Sequence, residues 1–174
     1  MSEQSRILSG DSRKRDAVSA LSSAAQDWLT EIERITLVLL YAPGKRGLME
    51  PIRSRLHLAK QIFILWKNPH FEELHSEVQF EPYHFGPWSD SIDGALAELA
   101  SRGLIEVTKS EPIRFALTAD GKRTARKEWE SLTAEERAVV TDVKKNLGSL
   151  ATPDLLRLIY SAYPEYAKES KYQF

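Results

Sequence analysis

His70, Glu73, His75 and Glu77 are the densest group of metal-ligand side chains in the chain. A helical zinc site needs two imidazoles on one face, as the His-Glu-x-x-His spacing provides. Here the two histidines are five residues apart, which a regular helix places on different faces. They are expected to be solvated surface residues. Glu106-Val-Thr-Lys109 has the acid and lysine of a nuclease Glu-x-Lys motif with one residue too many, and reads as a strand with exposed charges. No Gly-x-Ser-x-Gly elbow, phosphate loop or dinucleotide fingerprint occurs. Cysteine is absent, which excludes disulfides and thiolate metal sites. The residues therefore predict no enzyme, no metal and no cofactor.

Binding chemistry is the alternative. Nucleic-acid affinity comes from cations that meet phosphates, and base reading from Arg, Asn, Gln or Lys at base edges. Lys122, Arg123, Arg126 and Lys127 share one sector of a helix at 100° per residue. Lys109, Arg114 and the early run Arg13, Lys14 and Arg15 could join them on a phosphate backbone; a solvated charged face is the plain alternative. Protein binding would draw on other residues. Tyr83, His84, Ser89, Asp90, Asp93 and Arg102 gather around an aromatic turn and the helix after it. Phe85 and Trp88, beside them, are expected to pack under the turn.

The elements that must position these groups follow from periodicity. Val18, Leu21, Ala25, Trp28, Ile32, Ile35 and Leu39 alternate spacings of three and four, a heptad seam. One helix over residues 11–41 would be about 45 Å long at about 1.5 Å per residue. Either it is an arm that assembles through Val18, Leu21, Trp28 and Ile32, or it is two core helices with a break near Ser22-Ser23. Pro43-Gly44 ends it. A second helix is expected over 53–67, with Leu58, Ile62, Phe63, Leu65 and Trp66 buried, and Asn68-Pro69 stops it. Gly86-Pro87 forms the aromatic turn. The next helix, over 89–103, has Ser89 or Ser91 as its cap and Asp90 and Asp93 near the positive end of its dipole. Ile92, Ala95, Leu96, Leu99 and Ala100 form its stripe, and Gly103 ends it.

Ile105 and Val107, then Ile113, Phe115 and Leu117, alternate as a hairpin with one buried face. Three helices complete the chain. One begins at Thr118, with Ala125, Trp129 and Leu132 inward. One opens on the capping box Thr133-Ala-Glu-Glu136 and buries Val139, Val140, Val143 and Leu147. The last opens on Thr152-Pro153, with Leu155, Leu158, Ile159 and Ala162 as its stripe.

Length and charge bound the function. The 174 residues suit one domain with an arm, and 42% hydrophobic content supports an ordinary core. The longest apolar run, residues 35–42, is far too short for a bilayer, and no apolar stretch follows the early basic residues. A soluble cytoplasmic protein without a signal peptide is expected. The net charge of −1 is uneven. Residues 1–60 carry 10 Lys/Arg against 7 Asp/Glu, residues 61–110 carry 3 against 8, and residues 111–174 carry 11 against 10. The helix over 89–103 sits in the acidic third. Two carboxylates near its N-terminus would be repelled by phosphates, although Asp can accept from cytosine.

Phe85-Gly86-Pro87-Trp88-Ser89, the helix running to Gly103-Leu104-Ile105, and Leu117-Thr118-Ala-Asp-Gly121 resemble the YwgA-like winged-helix proteins. They are also similar to the Panacea (SocA-like antitoxin and phage-associated) proteins. Leu155-Leu-Arg-Leu-Ile-Tyr160 and Tyr163-Pro-Glu-Tyr166 resemble the tail of the YwgA-like group. The resemblance spans about residues 30–170 and brings no catalytic residues. It implies a mainly α fold with a small β-hairpin: a winged helix-turn-helix with a long N-terminal helix and a C-terminal helical extension. The expected organisation is a basic arm and helix start over 1–25, a winged-helix domain over 26–132, and an extension over 133–174 packed on it.

Relatives of this kind include antitoxins and adaptors that bind proteins, and others that bind DNA. The acidic helix and heptad seam favour a non-enzymatic regulator that works through a protein partner or a homodimer. Such a protein could be an antitoxin, an adaptor or a subunit of a prokaryotic defence or regulatory complex. The alternative is a dimeric DNA-binding transcriptional regulator that uses hairpin, arm and basic helix face.

Overall fold

The computed structural model describes residues 28–174. Arg13, Lys14, Arg15, Val18 and Leu21, with the break expected near Ser22-Ser23, lie outside the described residues. Helix α1 is Glu31–Tyr41. The Thr30 side chain accepts from the Glu33 N–H at 3.3 Å, and the Glu33 carboxylate accepts from the Thr30 N–H at 3.2 Å. This capping box starts the helix at residue 31, because Thr30 is extended. A continuous helix over 11–41 is therefore incorrect, and the heptad seam does not cross Thr30. Trp28 is 70% exposed, whereas Ile32 is buried in the core with Ile35 and Leu39. Ile32 thus serves the intramolecular core. Leu37, Val38 and Leu40 are buried as well, so α1 is covered all round, as a central helix must be.

Helix α2 is Arg55–Trp66, followed by a 3-10 segment, Pro69–Ser76. Strands β1 (Glu81–Tyr83) and β2 (Gly86–Trp88) pair antiparallel, with Pro82 opposite Pro87. Helix α3 is Ser91–Ser101, and Gly103 at φ 69° reverses the chain after it. Strands β3 (Ile105–Val107) and β4 (Phe115–Leu117) form a second hairpin, with Ile105 opposite Leu117 and Val107 opposite Phe115. Ile52 exchanges backbone hydrogen bonds of 3.0 and 2.8 Å with Phe115 and extends this hairpin by one residue. Helices α4 (Ala119–Ser131), α5 (Ala134–Gly148) and α6 (Thr152–Ala162) follow, then a 3-10 turn at Pro164–Ala167. The described residues are mainly helical, with two small antiparallel hairpins.

Helix α1 packs on α3, α4, α5 and β4; α2 packs on α5 and α6; and the last 3-10 turn packs on β1 and β2. Two contacts explain the close fit. Gly121 lies so near the Leu104 carbonyl that an added Cβ would stand 1.7 Å from its oxygen. Lys144, itself buried, donates to the Leu40 and Ala42 carbonyls at 3.1 and 2.6 Å and so satisfies the C-terminal end of α1. Periodicity misplaced two apolar residues of α6: Leu158 and Ala162 are exposed, and Leu156 is buried instead. Among the described residues no helix is long and apolar enough to cross a membrane.

Candidate functional site

The N-terminus of α2 sets one wall of the site. Ser54 is extended at φ −168° and its side chain accepts from the His57 N–H at 3.1 Å. The Ser54 hydroxyl also lies 2.8 Å from His57 Nδ1, and His57 Nε2 lies 2.8 Å from the Leu150 carbonyl. A carbonyl only accepts, so Nε2 carries the proton and Nδ1 accepts from Ser54. Burial lowers the His57 pKa, the Leu150 carbonyl opposes that, and the Arg53 charge lowers it further. Both groups of this hydroxyl–imidazole pair are occupied in holding the first turn of α2 against Leu150. Arg53 donates to the same carbonyl at 3.0 Å.

The turn at Gly86 sets the second wall. Gly86 has φ 81°, and a Cβ there would lie 2.9 Å from Tyr160 Cε1. Beneath it Lys60 is fully buried and donates to the Pro87 carbonyl at 2.7 Å. Burial lowers the Lys60 pKa to about 7. The C-terminal segment fixes the outer side: the Lys171 N–H donates to the His84 carbonyl at 2.8 Å, and Tyr172 meets Phe85 edge-on at 5.8 Å.

The third wall is the β3–β4 hairpin. Its base is buried at Ile105, Phe115 and Leu117. The same face continues past the core, so Val107 and Ile113, expected to be buried, are 42% and 41% exposed. Between the three walls lies a groove of about 640 Å³, with Tyr83, Phe85, Trp88, Val107 and Ile113 around it and Lys60 in its floor. A second cleft of about 650 Å³ adjoins it across Tyr83 and Trp88, and is lined by Glu77, Glu81, Asp90 and Asp93.

The expected site residues divide between these surfaces. Tyr83 is exposed and stacks on half-buried His84 at 4.3 Å. Asp90 is exposed and accepts from the Trp88 indole at 3.2 Å. Asp93 does not face solvent as a lone charge, because Arg55 binds it at 2.6 Å. Ser89 is buried, and neither it nor Ser91 caps α3: the helix has no side-chain cap, and Ser91 donates to the Glu77 carbonyl. Arg102 is held by Glu33 at 3.6 Å and the Trp28 carbonyl at 3.0 Å, only 15% exposed, so it belongs to the fold more than to an open face. Phe85, expected under the turn, is 41% exposed at the rim of the groove. Arg55, Lys60, Glu81, Val107 and Ile113 were not singled out by sequence. Only the alternation of the hairpin hinted at the last two.

The outer face of α3 carries Gly94, Ala97, Glu98, Ala100 and Ser101, with no Arg, Lys, Asn or Gln. On α4, Lys122, Arg123, Arg126 and Lys127 are exposed. Arg123 is paired with Asp120, and Arg126 with Glu130 at 2.8 Å. Lys109 is exposed and Arg114 half-buried on the β3–β4 hairpin. His75 stacks on Trp66 at 4.6 Å, and the described residues contain no group of three or more acidic or imidazole side chains that could hold a metal. Comparisons of the chain with protein-family models, curated proteins and solved structures find no match.

Proposed function

We propose that this chain is a non-enzymatic winged-helix regulatory protein that acts through protein contacts, made by the β1–β2 hairpin, α3 and the β3–β4 hairpin. The single observation that carries the reading is the outer face of α3, which bears a carboxylate and small residues where base reading needs Arg, Lys, Asn or Gln. The Arg55–Asp93 pair removes one repulsive charge from this region but leaves no cation in excess. Beside it, the groove offers the exposed aromatic side chains Tyr83 and Phe85, a class enriched at protein interfaces. The winged-helix part of the proposal is supported by the element order: α1, the Ile52 bridge, α2, α3, and then a hairpin bonded back to Ile52.

The second reading is a DNA-binding regulator, and the exposed α4 residues Lys122 and Lys127 favour it. A gel shift on random duplex DNA across a salt series separates the two. The protein-contact reading expects no more than the weak non-specific affinity of about 10⁻⁴–10⁻⁶ M at physiological salt. Tight binding that is abolished by neutralising Lys122, Arg123, Arg126 and Lys127 together would sink it.

A further inference from the structure

From the charge around the groove we infer that its occupant is a basic amphipathic segment of a partner protein: an apolar side chain seats between the two hairpins, and Lys or Arg side chains reach across Trp88 into the adjoining cleft. This rests on the protein-contact reading and gives the partner its chemistry. The apolar half follows from position. Phe85, Val107 and Ile113 are exposed around one concavity, and its volume of about 640 Å³ is ample for a large side chain.

The sign of the occupant follows from the charges of the groove and the cleft taken together. Around the groove, Arg55 is bound to Asp93, Arg53 donates to the Leu150 carbonyl, Lys60 is buried in the floor on the Pro87 carbonyl, and Glu111 is exposed. The adjoining cleft is of opposite character. Glu77, Glu81 and Asp90 line it in addition to the Arg55–Asp93 pair, and Glu81 and Asp90 are exposed. Glu77 accepts from the Ile32 N–H at 3.2 Å and Asp90 from the Trp88 indole, which orients their carboxylates without cancelling their charge. An apolar groove continuous with an acidic cleft matches a segment whose one edge is apolar and whose other edge is cationic.

The probe is a synthetic 14-residue peptide, about four helical turns, with leucines on one face and lysines on the other. Its counterpart has glutamate at every lysine position. Both are titrated against the full chain by fluorescence anisotropy, with the Trp88 indole signal, assigned by Trp88→Phe, as the local readout. The lysine peptide should bind about 10-fold or more tighter than the glutamate peptide and shift the Trp88 signal. Ile113→Asp, at an exposed hairpin position, should weaken it by about 10-fold or more. Glu81→Gln with Asp90→Asn should weaken it by about 2- to 10-fold and narrow the lysine preference. Lys122→Gln with Lys127→Gln should leave it unchanged. Equal or better binding of the glutamate peptide overturns the inferred partner chemistry while leaving a protein-contact role standing. Unchanged affinity in Ile113→Asp, or no binding of either peptide, overturns the groove as the site. Failure of the broader reading would be seen separately, in the DNA gel shift.

Discussion

Replacement of Gly121 by alanine should destabilise the protein, although alanine is the better helix former by about 1 kcal/mol. The new Cβ would stand 1.7 Å from the Leu104 carbonyl oxygen and 2.8 Å from its carbon, and must retreat by more than about 1 Å to reach even a tight contact of 3.0 Å. Backbone lies on both sides, so no flexible side chain can yield. The Leu104 carbonyl accepts from the Thr118 N–H at 3.1 Å, and the Thr118 hydroxyl donates to the Gly103 carbonyl at 2.6 Å. Separating the segments strains or breaks both bonds, at about 0.5–1.5 kcal/mol each, and overpacking adds about 1–3 kcal/mol. After the helix-propensity gain of about 1 kcal/mol, a net loss of about 1–5 kcal/mol remains, a fall of about 2–20 °C in Tm for a chain of this size. Gly94 on α3 is the internal control, because a Cβ there meets nothing within 4 Å. Gly94→Ala should stabilise by about 0.4–1 kcal/mol. Urea denaturation of both variants, with unchanged slope, measures the pair. Gly121→Ala at or above wild-type stability, or Gly94→Ala well below it, would refute the packing of α4 on the hairpin.

Three further perturbations follow, two from buried polar groups and one from an exposed lysine set among aromatic rings. Lys60 has a folded pKa of about 7, below its unfolded value. The unfolded chain therefore binds more protons above pH 7, and folding stability gained through this group rises with pH from about 7 to about 10.4, by up to about 1.4 kcal/mol per pH unit. Lys60→Met should lack this rise, so the stability difference between wild type and variant should move toward the wild type between pH 7 and 9; parallel pH profiles would contradict it. The Gln61 side chain is fully buried, and neither its oxygen nor its nitrogen has a hydrogen-bond partner; Gln61→Met should raise stability by about 1–3 kcal/mol in chemical denaturation, and a loss would mean that the amide is satisfied in solution. The Lys67 ammonium lies 5.2–5.7 Å from the ring centres of Phe63, Trp66, Tyr163 and Tyr166; Lys67→Gln should cost about 0.5–1 kcal/mol and speed proteolytic cleavage near Tyr163, whereas an unchanged cleavage rate would remove the cation from the account of how the C-terminal segment is held.

Much of the helix order was legible because it rests on local signals. Proline stops and apolar stripes, with a capping box at α5, gave α2, α3 and α5 nearly as they stand, although the caps expected for α3 do not form. The capping box at Thr133 was read, but the equally spaced Thr30-Glu-Ile-Glu33 was hidden beneath the heptad pattern. A run of apolar spacings does not reveal that a local cap breaks the helix within it. The site was less legible for a different reason. Asp93 meets Arg55 across 38 residues, and Arg102 meets Glu33 across 69; neither pairing leaves a local trace. Lys60 and Lys144 look like surface residues by type and are buried because carbonyls at helix and turn ends need donors. Alternation placed Ile113 with Phe115 on one hairpin face, but not the point at which that face outruns the core.

The central claim is that the surface between the hairpins touches protein. Site-specific photocrosslinking in cells tests it most directly, with a benzoylphenylalanine at Phe85 and a control at the exposed Leu158 of α6. The predicted result is a discrete adduct at position 85, absent at 158, that survives nuclease and is removed by protease. A nuclease-sensitive adduct at position 85, or the same adducts at both positions, would contradict it.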